Sequence, residues 1–395
     1  MRIVYYTHSA FFEAALCLVK ELSQQVQLHL LLELSPGAWQ TAGFDLDRRP
    51  LPAGLIPADD VLKDVLPSGV RAYWQSTASF HLVVHSSRRS IHPSSWEISR
   101  RVLRFTGECG ADVLHIDDVD VSPRLALALP TLRRLPVVIT VHDPEPHSGE
   151  RNWRKWLARR LAYPKASRFV LHNAAGREGF AERNRISSTS IEIARLGAYT
   201  IFREWSSQPA HREASTVLFF GRLSPYKGLD GFYEAARLIA RRVTGVKFVV
   251  AGRPVPGYIP PPPPSLDASA AVEVVDRYLS NREAARLFQS ASVVVCPYRT
   301  ATQSGVVLTA FAFAVPVVAT AVGGLPEYVI PWRTGLLVPV GDSQAIADAV
   351  CQILLNPELA AQLRHGIATA AEGVLSWRHA ADSLVRIYSS LSASH

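Results

Sequence analysis

The sequence is poor in cysteine and in lysine. The four cysteines, Cys17, Cys109, Cys296 and Cys351, lie far apart and have no paired spacing. This distribution excludes a disulfide framework and a zinc ribbon, and it is typical of a reducing compartment. Lysine occurs only six times, so Lys227, in a loop that follows a predicted strand, stands out as a functional candidate.

Long hydrophobic runs are also missing. Near the N-terminus, Glu13 interrupts the apolar residues and no small-residue cleavage site follows, so no signal peptide is expected. The longest uncharged stretch, residues 300–326, contains Pro316, Gly323 and Gly324. It predicts a buried helix and strand, because a membrane-spanning helix needs about 20 mostly apolar residues. We therefore expect a cytoplasmic protein and leave open a peripheral attachment to the inner face of the membrane.

The length and the charge narrow the class of protein. A chain of 395 residues with 48% hydrophobic residues predicts two well-packed domains and excludes global disorder. The 42 Lys and Arg residues exceed the 34 Asp and Glu residues, for a net charge of +8. A basic excess favours an anionic partner, which at this point is a phosphorylated ligand, a membrane surface or a nucleic acid.

Short apolar runs alternate with helical patterns along the whole chain. Such runs predict parallel sheets built from βαβ units, and so an α/β protein with two doubly wound halves. The predicted strands are residues 2–6, 26–32, 113–116, 137–141, 168–171, 191–194, 217–220, 247–251, 272–275, 293–296, 317–319 and 335–338. The polar segment 203–215 is interpreted as the interdomain linker. Residues 80–96 are interpreted as loop-rich.

Residues 217–239, VLFFGRLSPYKGLDGFYEAARLI, predict a strand, a loop and a helix. The loop carries Arg222 and Lys227. Ligands of open α/β sheets bind beyond the carboxyl ends of the strands, where these two cations would lie. A planar guanidinium and a compact ammonium together suit a diphosphate. The alternative is a solvated basic loop without a ligand.

Residues 296–329 predict a second phosphate site. A strand is followed by a polar loop, and the run Thr302-Gln303-Ser304-Gly305 opens a helix that is expected to end near Ala314. The free N–H groups of a helix start attract a phosphate, and Gly305 allows it to approach the backbone. The alternative is an ordinary N-cap on a buried packing helix.

Four sequence blocks resemble those of family-4 retaining glycosyltransferases of the GT-B fold. In order they are GRLSPYKG, the helix of residues 302–316, GGLPE (323–327) and TGLLVPVGD (334–342), and the resemblance covers residues 217–388. The ATQSGV loop is similar to that of one subgroup of the family. The N-terminal half resembles the family weakly, through PVVITVHDPEPHSG.

The resemblance implies two Rossmann-like domains that face a cleft. Residues 1–205 would form the acceptor domain, residues 206–375 the donor domain, and residues 376–395 a helix that returns to the N-terminal domain. The protein would move a sugar from a nucleotide-diphosphate-sugar to a hydroxyl group of a glycan or lipid-linked acceptor, with retention. It would need neither a metal nor a cofactor.

The resemblance also assigns the site residues. Arg222 and Lys227 would hold the donor diphosphate and stabilise the leaving nucleotide, and His142 would contact the donor sugar. The donor-binding set comprises Gly221, Arg253, Arg277, Tyr278, Gln303, Ser304, Gly305, Val306 and Thr309, with Arg253, Arg277 and Tyr278 near the base. The alternative for His142 is a strand-end histidine that is bound by Asp143.

The sequence departs from the family in three places. The family has two glutamates where Ala301 and Thr309 stand, so ribose recognition would depend on Thr309 or on a backbone group. Ala314 replaces a glycine, and His8 and Ser9 follow the first strand in place of a glycine-rich loop. The missing glutamates leave a non-catalytic sugar-nucleotide or glycan-binding relative as an alternative. A GT-B nucleotide-sugar epimerase is a second alternative, against which the spacing of GRLSPYKG argues.

Residues 151–168, RNWRKWLARRLAYPKASR, predict a basic helix with tryptophans. Its candidate acceptor or membrane residues are Trp153, Arg154, Lys155, Trp156, Arg159 and Arg160. Such a helix suits a membrane interface or a lipid-phosphate acceptor. The alternative is a helix that packs its tryptophans onto the domain. No nucleic-acid recognition motif accompanies the basic residues, so we expect no nucleic-acid partner. Asp117, Asp118 and Asp120 are interpreted as a strand end and turn, not as a divalent-metal site.

Overall fold

The computed structural model describes residues 1–36, 51–144, 153–206, 215–266 and 270–392. The chain divides into two compact units. The first comprises Met1–Leu196 together with Trp377–His395, and the second comprises Gly197–Ser376. No helix within the described ranges is long and apolar enough to cross a bilayer.

The described part of the first unit contains eight strands and seven helices before the chain leaves it. The strands are β1 (Arg2–His8), β2 (Gln27–Leu34), β3 (Gly54–Pro57), β4 (Ser79–Val84), β5 (Val113–Asp117), β6 (Val137–Val141), β7 (Ala166–Leu171) and β8 (Ile191–Ile193). The helices are α1 (Phe12–Leu22), α2 (Asp59–Leu62), α3 (Ser68–Arg71), α4 (Pro93–Glu108), α5 (Arg124–Ala128), α6 (Trp153–Ala162) and α7 (Arg177–Asn184).

The second unit repeats this alternation, and the chain then ends in a helix of the first unit. The strands are β9 (Thr216–Phe220), β10 (Lys247–Ala251), β11 (Ala271–Val275), β12 (Val293–Cys296), β13 (Val317–Thr320) and β14 (Gly335–Val338). The helices are α8 (Leu229–Ala240), α9 (Asn281–Ser290), α10 (Gly305–Ala312), α11 (Ser343–Leu355), α12 (Pro357–Glu372) and finally α13 (Trp377–Ser392).

Each unit is built on a parallel sheet. In the first, the described strands pair in the order β3-β4-β2-β1-β5-β6-β7-β8, and only the β3–β4 pair is antiparallel. In the second, the order is β11-β10-β9-β12-β13-β14 and every pair is parallel. Central strands such as β5 and β6 are buried along their whole length, as expected where helices cover both faces. The two doubly wound domains that the sequence predicts are therefore confirmed.

The C-terminal helix α13 belongs to the first unit. It packs on α1, and its buried stripe includes Trp377, Leu384 and Tyr388. The Tyr388 hydroxyl contacts Nδ1 of His115, a buried residue of β5. The predicted return of the chain to the N-terminal domain is confirmed.

The interpretation of residues 80–96 as loop-rich is right only for residues 85–92 and wrong for the rest. Residues 79–84 form β4, a parallel neighbour of β2, and residues 93–108 form α4, whose first helical residue is Pro93. The strand is short and has His81 among its apolar residues, and the serines, arginines and histidines that follow obscured its end. Only pairing with β2 on one side and β3 on the other shows that it lies inside the sheet.

The boundary between the two units lies earlier in the sequence than the predicted linker, between Leu196 and Gly197. Residues after Leu196 already pack on the second unit, since the N–H groups of Ala198 and Tyr199 donate to the carbonyls of Leu375 and Leu308, both at 3.0 Å. Residues 207–214 of the predicted linker lie outside the described residues.

Candidate active site

The predicted donor-binding residues all follow strands of the second sheet. Because β11, β10, β9 and β12 are parallel neighbours, their carboxyl ends lie at one edge of the sheet. Gly221, Arg222 and Lys227 follow β9, and Arg253 follows β10. Arg277 and Tyr278 follow β11, and Gln303, Ser304, Gly305 and Val306 follow β12.

At the centre of this edge, the backbones of Gly221 and Gly252 lie in close contact. The Gly221 N–H donates to the carbonyl of Ala251 at 2.9 Å, and Gly221 has a φ of 105°. A Cβ on Gly221 would lie 2.9 Å from Nζ of Lys227 and 3.3 Å from Cγ2 of Val306. A Cβ on Gly252 would lie only 2.0 Å from the carbonyl oxygen of Gly221. The glycines therefore leave the space that the Lys227 side chain occupies.

Lys227 is a buried lysine whose ammonium is held by an aromatic residue. It ends a 3-10 turn, Pro225–Lys227, and is followed by Gly228 with a φ of 68°. Its Nζ donates to the Tyr298 hydroxyl at 2.9 Å and lies 4.6 Å from the centre of the Tyr298 ring. Within the described residues this is its one side-chain hydrogen bond, and an ammonium has three N–H donors. The remaining donors are available to a ligand.

The charge of Lys227 is not balanced by a carboxylate within the described part of the chain. The pKa of its ammonium is lowered to about 8, chiefly by burial, with Cys296 raising it in part and Arg222 lowering it. The Arg222 side chain itself is exposed. A buried cation without an acidic partner disfavours the folded state unless an anion binds beside it, and Arg222 adds a second positive charge nearby. The arrangement is that of a site for an anionic ligand.

The start of α10 adds hydrogen-bond donors to this site. Ser304 is the N-cap, and its hydroxyl oxygen accepts from the Val307 N–H at 3.4 Å. The same oxygen lies 3.4 Å from the Tyr298 hydroxyl, which links it to Lys227. The Oε1 atom of Gln303 is buried and has no hydrogen-bond partner among the described residues. Helix starts of this kind attract phosphate oxygens.

The residues predicted to lie near a nucleotide base are exposed. Arg253 and Tyr278 are on the surface, and Arg277 donates from Nη2 to Glu283 of α9 at 2.6 Å. This bond, helped by Ser280, lowers the pKa of Glu283 to about 2. Arg277 is thus directed toward the start of α9, and its contact with a base stays a prediction.

The structure shows the surroundings of two sequence departures from the family, the missing glutamates and the alanine that replaces a glycine. Thr309 is buried, and its hydroxyl donates to the carbonyl of Gly305 at 2.8 Å, so only its acceptor capacity is left for a ribose. Ala301 lies under the GGLPE block, because a Cβ on Gly323 would lie 1.6 Å from its carbonyl oxygen. Ala314 has a left-handed φ of 51°, which explains a glycine at this position in the family.

The first unit holds a separate group of buried polar residues at the carboxyl edge of its sheet. His142 follows β6, and its Nε2 lies 2.7 Å from Oδ1 of Asp117, the last residue of β5. The Thr7 hydroxyl donates to Oδ2 of the same carboxylate at 2.7 Å. Phe11 stacks on the imidazole with the ring centres 3.7 Å apart. The carboxylate and the aromatic ring fix the orientation of His142.

The partner of His142 differs from the one that the sequence suggested. The strand-end alternative named Asp143, but the hydrogen bond joins Asp117, 25 residues away. Burial alone would lower the pKa of His142, but Asp117, followed by Asp118 and Asp143, raises it. His142 in turn holds the pKa of Asp117 well below its usual range despite burial. The Nδ1 atom of His142 is buried and without a partner in the described part of the chain.

The neighbouring aspartates have structural roles in the described residues. Asp118 has a φ of 73° and accepts from the His142 N–H at 3.0 Å, and Asp120 binds Arg159 at 2.5 and 2.9 Å. The described residues contain no group of three or more His, Cys, Asp or Glu side chains that could hold a metal ion. His8 lies 3.2 Å from the carbonyl of Asp118, so it is bound to this turn.

The basic helix exists, but its tryptophans are not packed on the domain. Trp153 and Trp156 of α6 are each 61% exposed, whereas Ala158 and Ala162 form the buried face. Arg154 and Arg160 are exposed and Lys155 is half-buried. The packing alternative is therefore wrong for both tryptophans. Arg151, the first residue of the predicted basic stretch, lies outside the described residues.

Several residues of both sites were missed by sequence reasoning. Tyr298 lies 71 residues from Lys227, and Asp117 lies 25 residues from His142. Phe11 lies in the segment after β1, for which the sequence predicted no aromatic contact with His142. No local spacing links these partners, because the order of parallel strands brings them together. The strand-end position of Asp117 was the one available signal.

Two protein-family models match the chain. One, described as Glycosyltransferase Family 4, matches residues 63–198, and the other, described as Glycosyl transferases group 1, matches residues 214–356. The first match lies in the first unit and contains His142. The second contains Arg222, Lys227 and α10.

Curated proteins and solved structures agree with these matches. D-inositol 3-phosphate glycosyltransferase of Saccharomonospora viridis is 32% identical over 217 residues, which are 53% of this chain and 50% of that protein. This chain thus spans half the length of that relative. Phosphatidyl-myo-inositol mannosyltransferase of Mycobacterium leprae is 26% identical over 75% of this chain and 78% of that protein. Anabaena Alr3699/HepE, solved with UDP, is similar over 99% of this chain and 100% of that chain, with a TM-score of 0.66 and 16% identity.

Proposed function

The chain carries a Glycosyltransferase Family 4 domain and a Glycosyl transferases group 1 domain on the GT-B fold, and from this premise we propose that it is a sugar-transferring enzyme. It would move a sugar from a nucleotide-diphosphate-sugar to a hydroxyl group of a glycan or lipid-linked acceptor. The second unit would bind the donor and the first unit the acceptor.

The observation that carries this proposal is the uncompensated positive charge at the carboxyl edge of the second sheet. Lys227 is 7% exposed and is held by Tyr298, a neutral phenol, without a carboxylate among the described residues. Arg222 adds a second cation, and the start of α10 adds N–H donors. A diphosphate satisfies all three, because it brings two negative charges and several acceptor oxygens.

The same residues would assist the transfer step. The bond between the anomeric carbon and the diphosphate oxygen breaks, and its electron pair leaves with the nucleotide diphosphate. The acceptor hydroxyl oxygen bonds to the anomeric carbon in its place, and the hydroxyl proton passes to the released diphosphate oxygen. Arg222 and Lys227 would stabilise the negative charge that develops on the leaving group, which is the kind of preorganised electrostatic effect that contributes most in many enzymes. The role of His142 toward the donor sugar stays a prediction.

Three finer features are proposed on the resemblance to family 4. They are transfer of a hexose, retention of the anomeric configuration and activity without a divalent metal. The anomeric configuration of the product, read by NMR, tests retention. If no divalent metal is needed, we expect full transfer activity in the presence of EDTA. A loss of activity that added Mg²⁺ restores would contradict metal independence.

The direct test replaces the two cations singly. We expect Arg222→Ala and Lys227→Ala to abolish sugar transfer and to weaken donor binding by more than tenfold, because each loses a charge-assisted contact with the diphosphate. A thermal-shift screen against UDP-, GDP- and ADP-sugars first identifies the donor, and calorimetry then measures its affinity. Arg242→Ala is the matched control, since Arg242 belongs to the same unit but pairs with Asp348 on the surface. Full transfer activity in a folded Arg222→Ala or Lys227→Ala protein would contradict the proposal.

A non-catalytic donor-binding protein is the second candidate. The observation in its favour is the absence of any carboxylate between Arg299 and Glu327, where family 4 has its glutamates. This candidate predicts donor binding that depends on Lys227 but no release of nucleotide with any acceptor. Catalytic turnover would exclude it.

A further inference from the structure

Three large apolar side chains lie exposed on one side of the first unit. Ile91, in the segment between β4 and α4, is 60% exposed, and Trp153 and Trp156 of α6 are 61% exposed. The two tryptophans are three residues apart, so they project from the same side of the helix. Ile91 and Trp153 line the same cavity and are therefore neighbours. We call these three residues and the cations beside them, Arg89, Arg154 and Arg160, the tryptophan surface.

The cavity between Ile91 and Trp153 is apolar. It has a volume of about 200 Å³, and its walls include Pro123, Leu127 and Leu157. The charged residues among those that line it are Arg89 and Arg154. An apolar groove whose charged residues, within the described part of the chain, are cations fits an apolar chain that carries a negative group at one end.

The other side of α6 is strongly basic. A second cavity of about 1040 Å³ is lined by both tryptophans and by five cationic residues against two acidic ones. The cations are Lys155, Arg159, Arg160, Arg183 and Arg185, and the acids are Asp120 and Asp143. Trp153 thus lies between the apolar groove and the basic one, and Trp156 lines the basic one.

Arginines accompany the exposed rings. The guanidinium of Arg154 lies 5.7 Å from the centre of the Trp153 ring, and that of Arg160 lies 5.4 Å from the Trp156 ring. An indole with a guanidinium beside it has an apolar body and a charged margin. Side chains of this kind favour the boundary between lipid headgroups and hydrocarbon.

Hydrogen bonds from buried side chains hold the backbone of the segment that carries Ile91. Arg124 donates to the carbonyls of Ser87 and Arg88 at 3.1 and 3.4 Å, and it is itself held by Glu33 at 3.0 Å. The Ser95 hydroxyl donates to the carbonyl of Arg89 at 3.3 Å. Ile91 is therefore presented from a loop with defined anchors on both sides.

We propose that the tryptophan surface docks on an anionic lipid bilayer. Ile91, Trp153 and Trp156 enter the headgroup boundary, an acyl chain contacts the groove, and Arg89, Arg154 and Arg160 bind lipid phosphates. The charge complementarity selects an anionic lipid over an uncharged apolar partner, since basic residues near an anionic membrane strengthen binding to it. The proposal does not depend on the proposed sugar transfer, because the surface binds lipid with or without a donor.

The test is flotation of the full-length protein with vesicles. One set is phosphatidylcholine alone and the other is phosphatidylcholine with phosphatidylglycerol. We expect binding to the anionic vesicles only, weakened by salt, and quenching of tryptophan fluorescence by lipids that carry bromine on the acyl chains. The variant Arg154→Glu/Arg160→Glu should bind at least tenfold more weakly, and Trp153→Ala/Trp156→Ala should lose the quenching.

Matched controls lie in the second unit. Arg237→Glu/Arg241→Glu makes the same change of charge at the C-terminal end of α8, and Trp332→Ala removes a tryptophan that is 55% exposed. Both should bind vesicles like the unmodified protein, and circular dichroism checks that every variant is folded. Equal binding to neutral and anionic vesicles would overturn the proposal. So would indifference to the Arg154 and Arg160 reversal, or quenching that the Trp153 and Trp156 variant retains.

Discussion

At the scale of single residues, two buried ionisable groups have opposite electrostatic settings. Lys227 is a cation that burial disfavours and that no described carboxylate compensates, which is why its pKa falls to about 8. The protonated form of His142 is favoured by Asp117, which is why the pKa of His142 rises despite burial. The environment of Lys227 is expected of a cation that binds an anionic ligand. The environment of His142 is expected of a group whose anionic partner belongs to the protein itself.

Replacing Lys227 by an apolar residue of similar length should stabilise the protein while it abolishes donor binding. The folded-state pKa of about 8 lies below 10.5, so the unfolded chain binds more protons between these values and the cost of the buried charge is greatest below pH 8. We expect Lys227→Met to raise the free energy of unfolding by about 2–3 kcal/mol at pH 7, with a gain that shrinks toward pH 10.5. Urea denaturation at several pH values measures this.

Lys247→Met is the control for that experiment. Lys247 is in the same unit but is 40% exposed and pairs with Glu273, so its loss should change stability by less than about 0.5 kcal/mol. A destabilised Lys227→Met protein at pH 7 would show that the buried charge is compensated in the folded chain.

Removing the charge of Asp117 should be most costly where His142 is protonated. The raised pKa of His142 contributes stability that is present below its unfolded value and is lost as the pH rises through the folded value. The lowered pKa of Asp117 contributes stability above its own unfolded value. We expect Asp117→Asn to cost about 3–5 kcal/mol near pH 6, as for other broken buried pairs, and less near pH 9. It should also lower the pKa of His142, which NMR of the imidazole can follow.

Asp120→Asn is the matched variant in the same turn. Asp120 pairs with Arg159, which stays charged across this range, so its effect should be the same at pH 6 and pH 9. An Asp117→Asn cost that does not change with pH would mean that His142 stays neutral.

At the scale of the elements, the loops after the strands of the second sheet depend on special backbone positions. Gly228 joins the Lys227 turn to α8, and a Cβ there would lie 2.1 Å from the carbonyl oxygen of Pro297. Ala314, which follows α10, has a left-handed φ although it is not glycine. A left-handed alanine costs about 1–2 kcal/mol, so the chain carries strain at this point.

Ala314→Gly should therefore stabilise the second unit. We expect a gain of about 1 kcal/mol, because the relief of the left-handed strain exceeds the added entropy of the unfolded chain. Ala310→Gly, four residues earlier and inside α10, should have the opposite effect, since glycine in a helix interior costs about 1 kcal/mol. Thermal or urea unfolding measures both, and a loss of stability in Ala314→Gly would contradict the assigned backbone strain.

At the scale of the whole molecule, the chain returns to its first unit through α13. Tyr388 of α13 contacts His115 of β5, which lies 2.7 Å from the Thr140 hydroxyl of β6. Burial lowers the pKa of His115 to about 4, so the imidazole stays neutral at physiological pH. A polar chain thus runs from the last helix into the centre of the first sheet.

Tyr388→Phe should weaken the first unit and leave the second unchanged. It leaves Nδ1 of the buried His115 without its partner, while Nε2 keeps its contact with Thr140, and we expect a cost of about 1–3 kcal/mol. Hydrogen exchange followed by mass spectrometry should show faster exchange in β1, β5 and β6 and in α13, with the peptides of the second unit as the internal reference. Equal acceleration in both units would show that α13 stabilises the molecule as one cooperative body.

The sequence alone determined the α/β class, most strands and the positions of Arg222, Lys227 and Ser304, and the return of the last helix followed from the family resemblance. It could do so because apolar periodicity and strand–loop–helix spacing are local, and strands such as β6 and β10 have the bounds that their apolar runs predict. Only the tertiary structure decided which residues stand beside those groups: Tyr298 under Lys227, Asp117 and Phe11 on His142, and solvent around Trp153 and Trp156. The physical reason is that parallel strand order, not distance along the chain, brings strand ends together. Burial, and with it each shift in pKa, follows from that order.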